Sequence, residues 1–272
     1  METDHRSLPL LPTLCRDTEF RWGERTYIMG ILNLSPDSFS GDGLGDDLAV
    51  IVARARKLVA EGADILDIGG ESTRPGAKPV PADEELRRVI PAIEKVAAEV
   101  SVPLSIDTYK SEVAGSALRA GANMINDVWG FQRDPRLAEV AGEAGVPILL
   151  VSNQRQNHGS YDIMIEVISS LKRSIGLAEE AGIAGHNIIV DPGIGFGKSS
   201  EQNLSIIRRL AELKVLGKPI LLGASRKFVD GVTSAAVAIG IANGADMVRV
   251  HDVRQMAQVA RMSDAIIRKA AK

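Results

Sequence analysis

Eight short apolar runs, each bounded by glycine or polar residues, recur along the chain: YIMGIL, DILDI, VPLSI, NMIN, VPILLV, NIIV, KPILL and DMVRV. Runs of this length and setting read as strands. The stretches between them carry helical spacing, as in DLAVIVARARKLVAEG, ADEELRRVIPAIEKVAAEV, SEVAGSALRAG and EQNLSIIRRLAELK, with Pro91 placed to divide or kink the second. Gly62, Gly121, Gly145, Gly182 and Gly244 each close such a stretch at or just ahead of the next strand, where glycine readily takes the left-handed helix-end conformation. Regular strand and helix alternation with short turns argues a parallel sheet. Eight units predict an α/β protein of the closed (β/α)8, or TIM, barrel type, the chief rival being an open doubly wound sheet. An N-terminal β-hairpin, TEFRW then RTYIM around Gly23-Glu24, is expected to cap the barrel bottom. No linker or low-complexity segment interrupts the pattern, so residues 1–272 read as a single domain, a length such barrels routinely fill.

With an aromatic share of only 4%, aliphatic residues must fill this core. A formal net charge of -3 and a pI near 5.9 give no general electrostatic reason to bind nucleic acid or an anionic membrane. Any anionic ligand therefore needs locally gathered cations. The lone Cys15 excludes an internal disulfide and a cysteine-built zinc site, which suits a reducing compartment. No apolar run approaches a membrane span, and the N-terminus lacks the order of a signal peptide. A cytoplasmic location is the expectation.

In such a barrel the chemistry sits at the C-terminal strand ends and in the loops that follow. In chain order these ends deliver Asn33 with the loop SPDSFSGDG, then GGESTRPGA, Asp107 in SIDTYK and Asn126 in INDVWG. Asn153 and Gln154, Asp191 in DPGIGFGKS, SRK from Ser225 to Lys227, and Arg249 with His251 in RVHD follow. Strand residues two apart face the same side. Val248 and Val250 then face the helices, and Arg249 and His251 the barrel mouth; Ser105 goes with Asp107, Met124 with Asn126, and Ile31 with Asn33. An inward guanidinium requires an anionic partner, either a carboxylate or a ligand phosphate.

Each element also has a plainer reading. Asp107 is close enough to TYKSEVAG to serve a helix N-terminus, Asp191-Pro192-Gly193 makes an ordinary turn, and Ser225-Arg226-Lys227 fits a solvated helix start. Thr73, Arg74 and Pro75 suit an exposed loop, and His5, His158 and His186 the surface. GIGFGKS matches neither a P-loop nor a dinucleotide fingerprint in spacing. The coincidence of polar groups at consecutive strand ends favours a site. Arg74, Arg226, Lys227, Arg249 and His251 form a cationic set suited to phosphate or diphosphate, and Asp107, Asn126 and Asp191 suit a flat heterocycle rich in ring nitrogens. A diphosphate ester of a heteroaromatic alcohol satisfies both.

Through MGILNLSPDSFS, DILDIGGESTRPGA, SIDT, NDVWG, DPGIGFGK, SRK and RVHDV, in that order from about Arg25 onward, the chain resembles the dihydropteroate synthases. The resemblance implies a TIM barrel that joins 6-hydroxymethyl-7,8-dihydropterin diphosphate to p-aminobenzoate, giving 7,8-dihydropteroate and diphosphate. It implies that Asp107, Asn126, Asp191 and Lys227 hold the pterin, and that Asn33, Thr73, Arg249 and His251 hold diphosphate, with Asn33 on magnesium. Arg74, Pro75, Phe196, Arg226 and Phe228 would surround p-aminobenzoate. Asp107, Asp37, Lys227 and Arg74 would be the catalytic set, with Asp37 on the first loop, which closes over the diphosphate, and Arg74 on the second. The implied assembly is a homodimer acting on small molecules. Two alternatives on the same fold are a catalytically altered paralogue that binds pterin and a pterin-dependent methyltransferase, which would not need the diphosphate cluster.

The chain departs from the family pattern in three places. It reads Ser40-Gly41-Asp42-Gly43 where the family usually has Ser-Asp-Gly-Gly, Val151-Ser152 where Met-His is common, and Phe228 where serine usually follows SRK. The last places the expected change in the p-aminobenzoate pocket.

Overall fold

Two short antiparallel strands, β1 (Thr13–Cys15) and β2 (Thr18–Phe20), precede the main sheet in the computed structural model, which describes residues 10–34, 47–72, 77–155, 162–225 and 233–268. Eight parallel strands follow: β3 (Tyr27–Asn33), β4 (Ile65–Gly69), β5 (Leu104–Asp107), β6 (Met124–Asp127), β7 (Ile148–Val151), β8 (Ile188–Asp191), β9 (Leu221–Leu222) and β10 (Met247–Val250). All eight lie where the apolar runs place them. They pair in the order β8-β7-β6-β5-β4-β3-β10-β9, and a parallel bridge between Val190 and Ile220 joins the two ends into a barrel.

The helices alternate with these strands: α1 (Leu48–Ala60), α2 (Ala82–Glu99), α3 (Ser111–Ala120), α4 (Arg136–Ala144), α5 (Ile163–Glu180), α6 (Ser200–Arg208), α7 (Thr233–Ala242) and α8 (Val253–Ile267). Start and stop signals are local. Asp47 caps α1 by accepting from the backbone of Ala49 and Val50, and Ser199 with Gln202 makes a reciprocal capping box on α6. The five glycines expected to end helices all have positive φ, between 64° and 118°.

Strand alternation sorts the core into two parts. Ile28, Leu66, Ile68, Leu104, Ile106, Ile125, Val190, Val248 and Val250 pack outward against the helices. Tyr27, Met29, Ile65, Met124, Leu149, Ile189, Leu221 and Met247 fill the barrel interior, where Cys15, Phe20 and Trp22 join them. The hairpin therefore caps the barrel bottom, with Phe20 edge-on to Tyr27 at 4.9 Å between ring centroids.

Three local expectations are corrected. The hairpin turns at Arg16-Asp17 rather than Gly23-Glu24, with Arg16 at φ 54°. RTYIM belongs instead to β3, because Tyr27 and Met29 face the barrel interior while the strand pairs with β4 and β10. Pro91 neither divides nor ends α2, whose fully buried Val89, Ala92, Ile93 and Val96 span it; that burial exceeds the roughly 3 kcal/mol cost of a helical proline. The stretch EQNLSIIRRLAELK is not one α-helix: after Arg208 the chain tightens into a 3-10 segment, Leu210–Leu216, that ends on the left-handed Gly217. Among the described residues no helix is long and apolar enough to cross a membrane.

Candidate functional site

Register builds the site from adjacent strands. Asn33 pairs with Gly69, Gly69 with Asp107 and Asp107 with Asn126, so the ends of β3 to β6 lie at one level of the barrel mouth. One step deeper, Asp67 pairs with Ser105 and Ser105 with Met124. Arg249 enters from β10, across the barrel. Its Nε donates to Asp67 Oδ2 at 2.6 Å and its Nη2 to Asp107 Oδ2 at 2.6 Å, while Asn126 Nδ2 donates to the same Asp67 oxygen at 2.9 Å. The inward guanidinium thus has carboxylate partners within the chain.

The electrostatics follow from one cation shared by two buried acids. Burial works against the charge on Arg249, but Asp67 and Asp107 outweigh it and hold its pKa above the ordinary value. Burial pushes the Asp107 carboxyl up to about 7; Arg249 opposes that rise, whereas Asp67, Glu85 and Asp127 add to it. Asp67 Oδ1, Asp107 Oδ1, Asn126 Oδ1 and Ser105 Oγ are buried with no hydrogen-bond partner among the described residues. Buried acceptors left in this state each cost about 1–3 kcal/mol, so a cluster of them marks a place built for a donor-rich ligand.

The remaining strand ends complete the rim. Asp191 is buried and accepts the Gly193 backbone N–H at 2.7 Å. Half-buried His251 has Nδ1 2.9 Å from Ser225 Oγ, and the same hydroxyl accepts the His251 backbone N–H at 3.2 Å. Whenever the hydroxyl donates to Nδ1, the neutral ring carries its own proton on Nε2; a hydroxyl with two lone pairs can equally accept from Nδ1–H. Phe196 is buried among Val128, Trp129 and Val151, with the Arg155 guanidinium 5.0 Å from its ring centroid. Asn153 and Gln154 serve the loop scaffold, donating to Val128 O and Ser152 Oγ.

Of the site residues expected from sequence, Asp107, Asn126 and Arg249 meet in one bonded network. Asp191 acts electrostatically on Arg249, while His251 is tied to the end of β9 through Ser225. Asn33 stands at the same strand level without a bond that joins it to that network. Asp37, Thr73, Arg74, Pro75, Arg226, Lys227 and Phe228 lie outside the described residues. Asp67 was missed, although it stands two residues before Gly69 and the alternation that placed Arg249 would have placed it inward too. A second missed group, Lys110 with Glu71 and the fully buried Glu85, ties the start of the loop after β4 to the start of α3.

A family model described as pterin binding enzyme matches residues 29–251. The dihydropteroate synthase of Clostridium beijerinckii is 47% identical over 264 residues, 92% of this chain and 98% of that protein. Among solved structures, a Clostridium difficile dihydropteroate synthase in the presence of pteroic acid superposes with a TM-score of 0.87 at 48% identity, covering 92% of this chain and all of the other. The Xanthomonas albilineans enzyme with 4-aminobenzoic acid gives 0.87 at 38% identity, covering 96% and 99%. The barrel, the acid and guanidinium network at its mouth and these likenesses converge: the chain belongs to the dihydropteroate synthase family of pterin binding enzymes.

Proposed function

We propose that this protein condenses 6-hydroxymethyl-7,8-dihydropterin diphosphate with p-aminobenzoate, releasing diphosphate and forming 7,8-dihydropteroate. The observation that carries the reading is the set of unsatisfied buried oxygens on Asp67, Asp107, Asn126 and Ser105. A pterin, with ring and amino N–H groups along one edge, supplies the donors this set lacks, and a site of buried polar groups rejects ligands that leave them unpaired.

The chemistry is a substitution at the pterin methylene carbon. The C–O bond breaks with its electron pair leaving on diphosphate, a cation develops on the methylene and spreads into the ring, and the aniline nitrogen then attacks and loses a proton. The Asp107 carboxylate stabilises the developing positive charge, and the guanidinium of Arg249 and the ring of His251 favour the departing anion. Asp37 and Arg74 belong to the loops assigned to closure, which would keep water from capturing the cation.

Among the described residues no cluster of three or more His, Cys, Asp or Glu side chains could cage a metal. Asn33, at the end of β3, would offer magnesium a neutral side-chain oxygen, a ligand type that ion accepts beside substrate phosphate oxygens. When bound there, magnesium would neutralise charge on the leaving group. We also infer a homodimer in the cytoplasm. Leu204 on α6, Ile239 on α7, and Met262 and Ile266 on α8 leave apolar side chains more than half exposed on neighbouring helices, and the single thiol, Cys15, is buried.

A coupled assay for diphosphate release, with each substrate omitted in turn, tests the reaction. Release should require both substrates and magnesium. Release without p-aminobenzoate would reassign the protein as a hydrolase, and tight pterin binding without turnover would make it a silent paralogue.

A further inference from the structure

Lys198, in the loop after β8, does the reverse of what a loop lysine normally does, which is to lay its stem on the protein and carry its charge to water. Here the ammonium turns inward and donates to three backbone carbonyls: Ser152 O at 2.8 Å, Gly193 O at 3.0 Å and Phe196 O at 3.3 Å. No carboxylate oxygen is among these bonded partners. Three acceptors use all three donors of an ammonium, and a neutral amine would present a lone pair to one of them.

The three carbonyls lie on two separate segments. Ser152 follows β7, and Gly193 and Phe196 flank the turn after β8. Lys198 therefore bolts the second segment onto the first. Gly193 has φ 73°, and a Cβ there would lie 2.0 Å from Ser152 O, so the backbones are in close approach at the bolt. The same turn fixes two groups assigned to the ligand. The Gly193 N–H holds Asp191 Oδ1, and Phe196 O accepts the Gln154 backbone N–H at 3.2 Å, which sets the ring against Val128, Trp129 and Val151.

From this geometry we infer that Lys198 is a positioning residue for both halves of the substrate site, its ammonium holding Asp191 toward the pterin and Phe196 toward p-aminobenzoate. The inference rests on the proposed reaction. Its charge state is poised. Burial pulls the Lys198 pKa down to about 7, Asp191 and Glu166, the latter from the first turn of α5, pull it back up, and Arg155 pushes it further down. As pH rises through that value the third donor is lost, and the turn loosens.

The test uses the full chain with Lys198→Met and Lys198→Gln, the second retaining two neutral donors. Both variants are checked for folding by circular dichroism. Michaelis constants for both substrates should rise about ten- to a hundredfold in Lys198→Met, with a smaller rise in Lys198→Gln, while kcat at saturation changes by no more than about threefold. Calorimetry with the pterin diphosphate should show the same loss of affinity without turnover. In the parent, the Michaelis constants should climb above about pH 7, and this limb should vanish in both variants. Unchanged Michaelis constants in either folded variant would overturn the inference, as would a fall in kcat alone or a pH limb that persists with the same midpoint. A parent that binds pterin but releases no diphosphate would overturn the reaction instead, and the calorimetric arm would still decide the role of Lys198.

Discussion

Arg249 holds Asp67 and Asp107 at the same distance, 2.6 Å, with different nitrogens of one guanidinium. Asp67 is the deeper of the two, fully buried, and also receives Asn126. It orients both a group assigned to diphosphate and a group assigned to the pterin, and its Oδ1 belongs to the unpartnered set that faces the pterin.

Asp67→Asn should therefore misplace Arg249 and Asn126 together. An amide oxygen in the place of Oδ2 accepts both bonds without the carboxylate's charge and sets its NH2 where the unpartnered Oδ1 now stands, whereas an NH2 in the place of Oδ2 faces two donors and loses both bonds. Because Arg249 keeps Asp107, the stability loss should be about 1–3 kcal/mol, below the 3–5 kcal/mol of a wholly orphaned buried charge. Affinity for diphosphate and for the pterin should fall together, each about tenfold or more. Calorimetry on each ligand and a urea melt measure this. Loss of only one affinity would show that Asp67 does not couple the two groups.

Asp107→Asn separates function from stability. Without the carboxylate the developing cation loses its electrostatic partner, at a cost on the order of 3 kcal/mol or about a hundredfold in kcat. The stability sign is opposite. The Asp107 carboxyl titrates higher in the folded protein than in the unfolded chain, so its favourable contribution is complete below the unfolded pKa and is lost as pH rises through about 7. The neutral amide avoids that loss. The variant should melt no lower than the parent at pH 8, and its advantage should disappear near pH 4. Parent kcat/KM for the pterin substrate should drop on the acid side of about pH 7, approaching tenfold per unit. Near-normal turnover in Asp107→Asn would remove Asp107 from the mechanism.

Much of this network was legible as a period of two. The alternation in MVRVHD set Val248 and Val250 against the helices and Arg249 inward, and the eight apolar runs became eight strands because a parallel barrel strand is apolar on both faces. The hairpin was not legible in register, since TLC and TEF are too short to show alternation and their partner, the barrel interior, is remote in sequence. Asp67 was masked by DIGG, where a lone acid in an apolar run gives no sign of the arginine nearly two hundred residues away that neutralises it. Lys198 was hidden for a related reason: its acceptors are backbone carbonyls, which carry no residue signature.

The group at Glu85 predicts a structural effect beside the site. Lys110 pairs with Glu71 at 2.5 Å and with Glu85, whose carboxylate is fully buried. Burial raises the Glu85 pKa, and Lys110 opposes that rise. Lys110→Met should leave an uncompensated buried acid and cost about 3–5 kcal/mol at neutral pH. A carboxyl with a raised folded pKa is least costly when protonated, so the deficit should shrink as pH falls toward 4. Adding Glu85→Gln should restore much of the loss. Urea melts at pH 7.5 and pH 4.5 decide it: an equal deficit at both would mean that lost packing, not the buried charge, is responsible.

Phe228 lies outside the described residues, and the sequence places it directly after SRK. By resemblance, the serine that usually follows SRK helps receive the carboxylate of p-aminobenzoate, and sulfonamides occupy the same pocket. Phenylalanine cannot donate that hydrogen bond. Losing one bond to a charged group costs about 1.5–3 kcal/mol, roughly ten- to 150-fold in affinity. Stacking of the ring on the substrate's benzene ring returns about 0.5–1.5 kcal/mol, less than the loss over most of that range. Phe228→Ser should therefore lower the Michaelis constant for p-aminobenzoate and strengthen sulfonamide inhibition in parallel, because both ligands would regain the same donor. Steady-state kinetics with a sulfonamide titration measure both quantities. An active serine variant with the parent's two constants would place the carboxylate elsewhere, on backbone N–H groups that do not depend on this side chain.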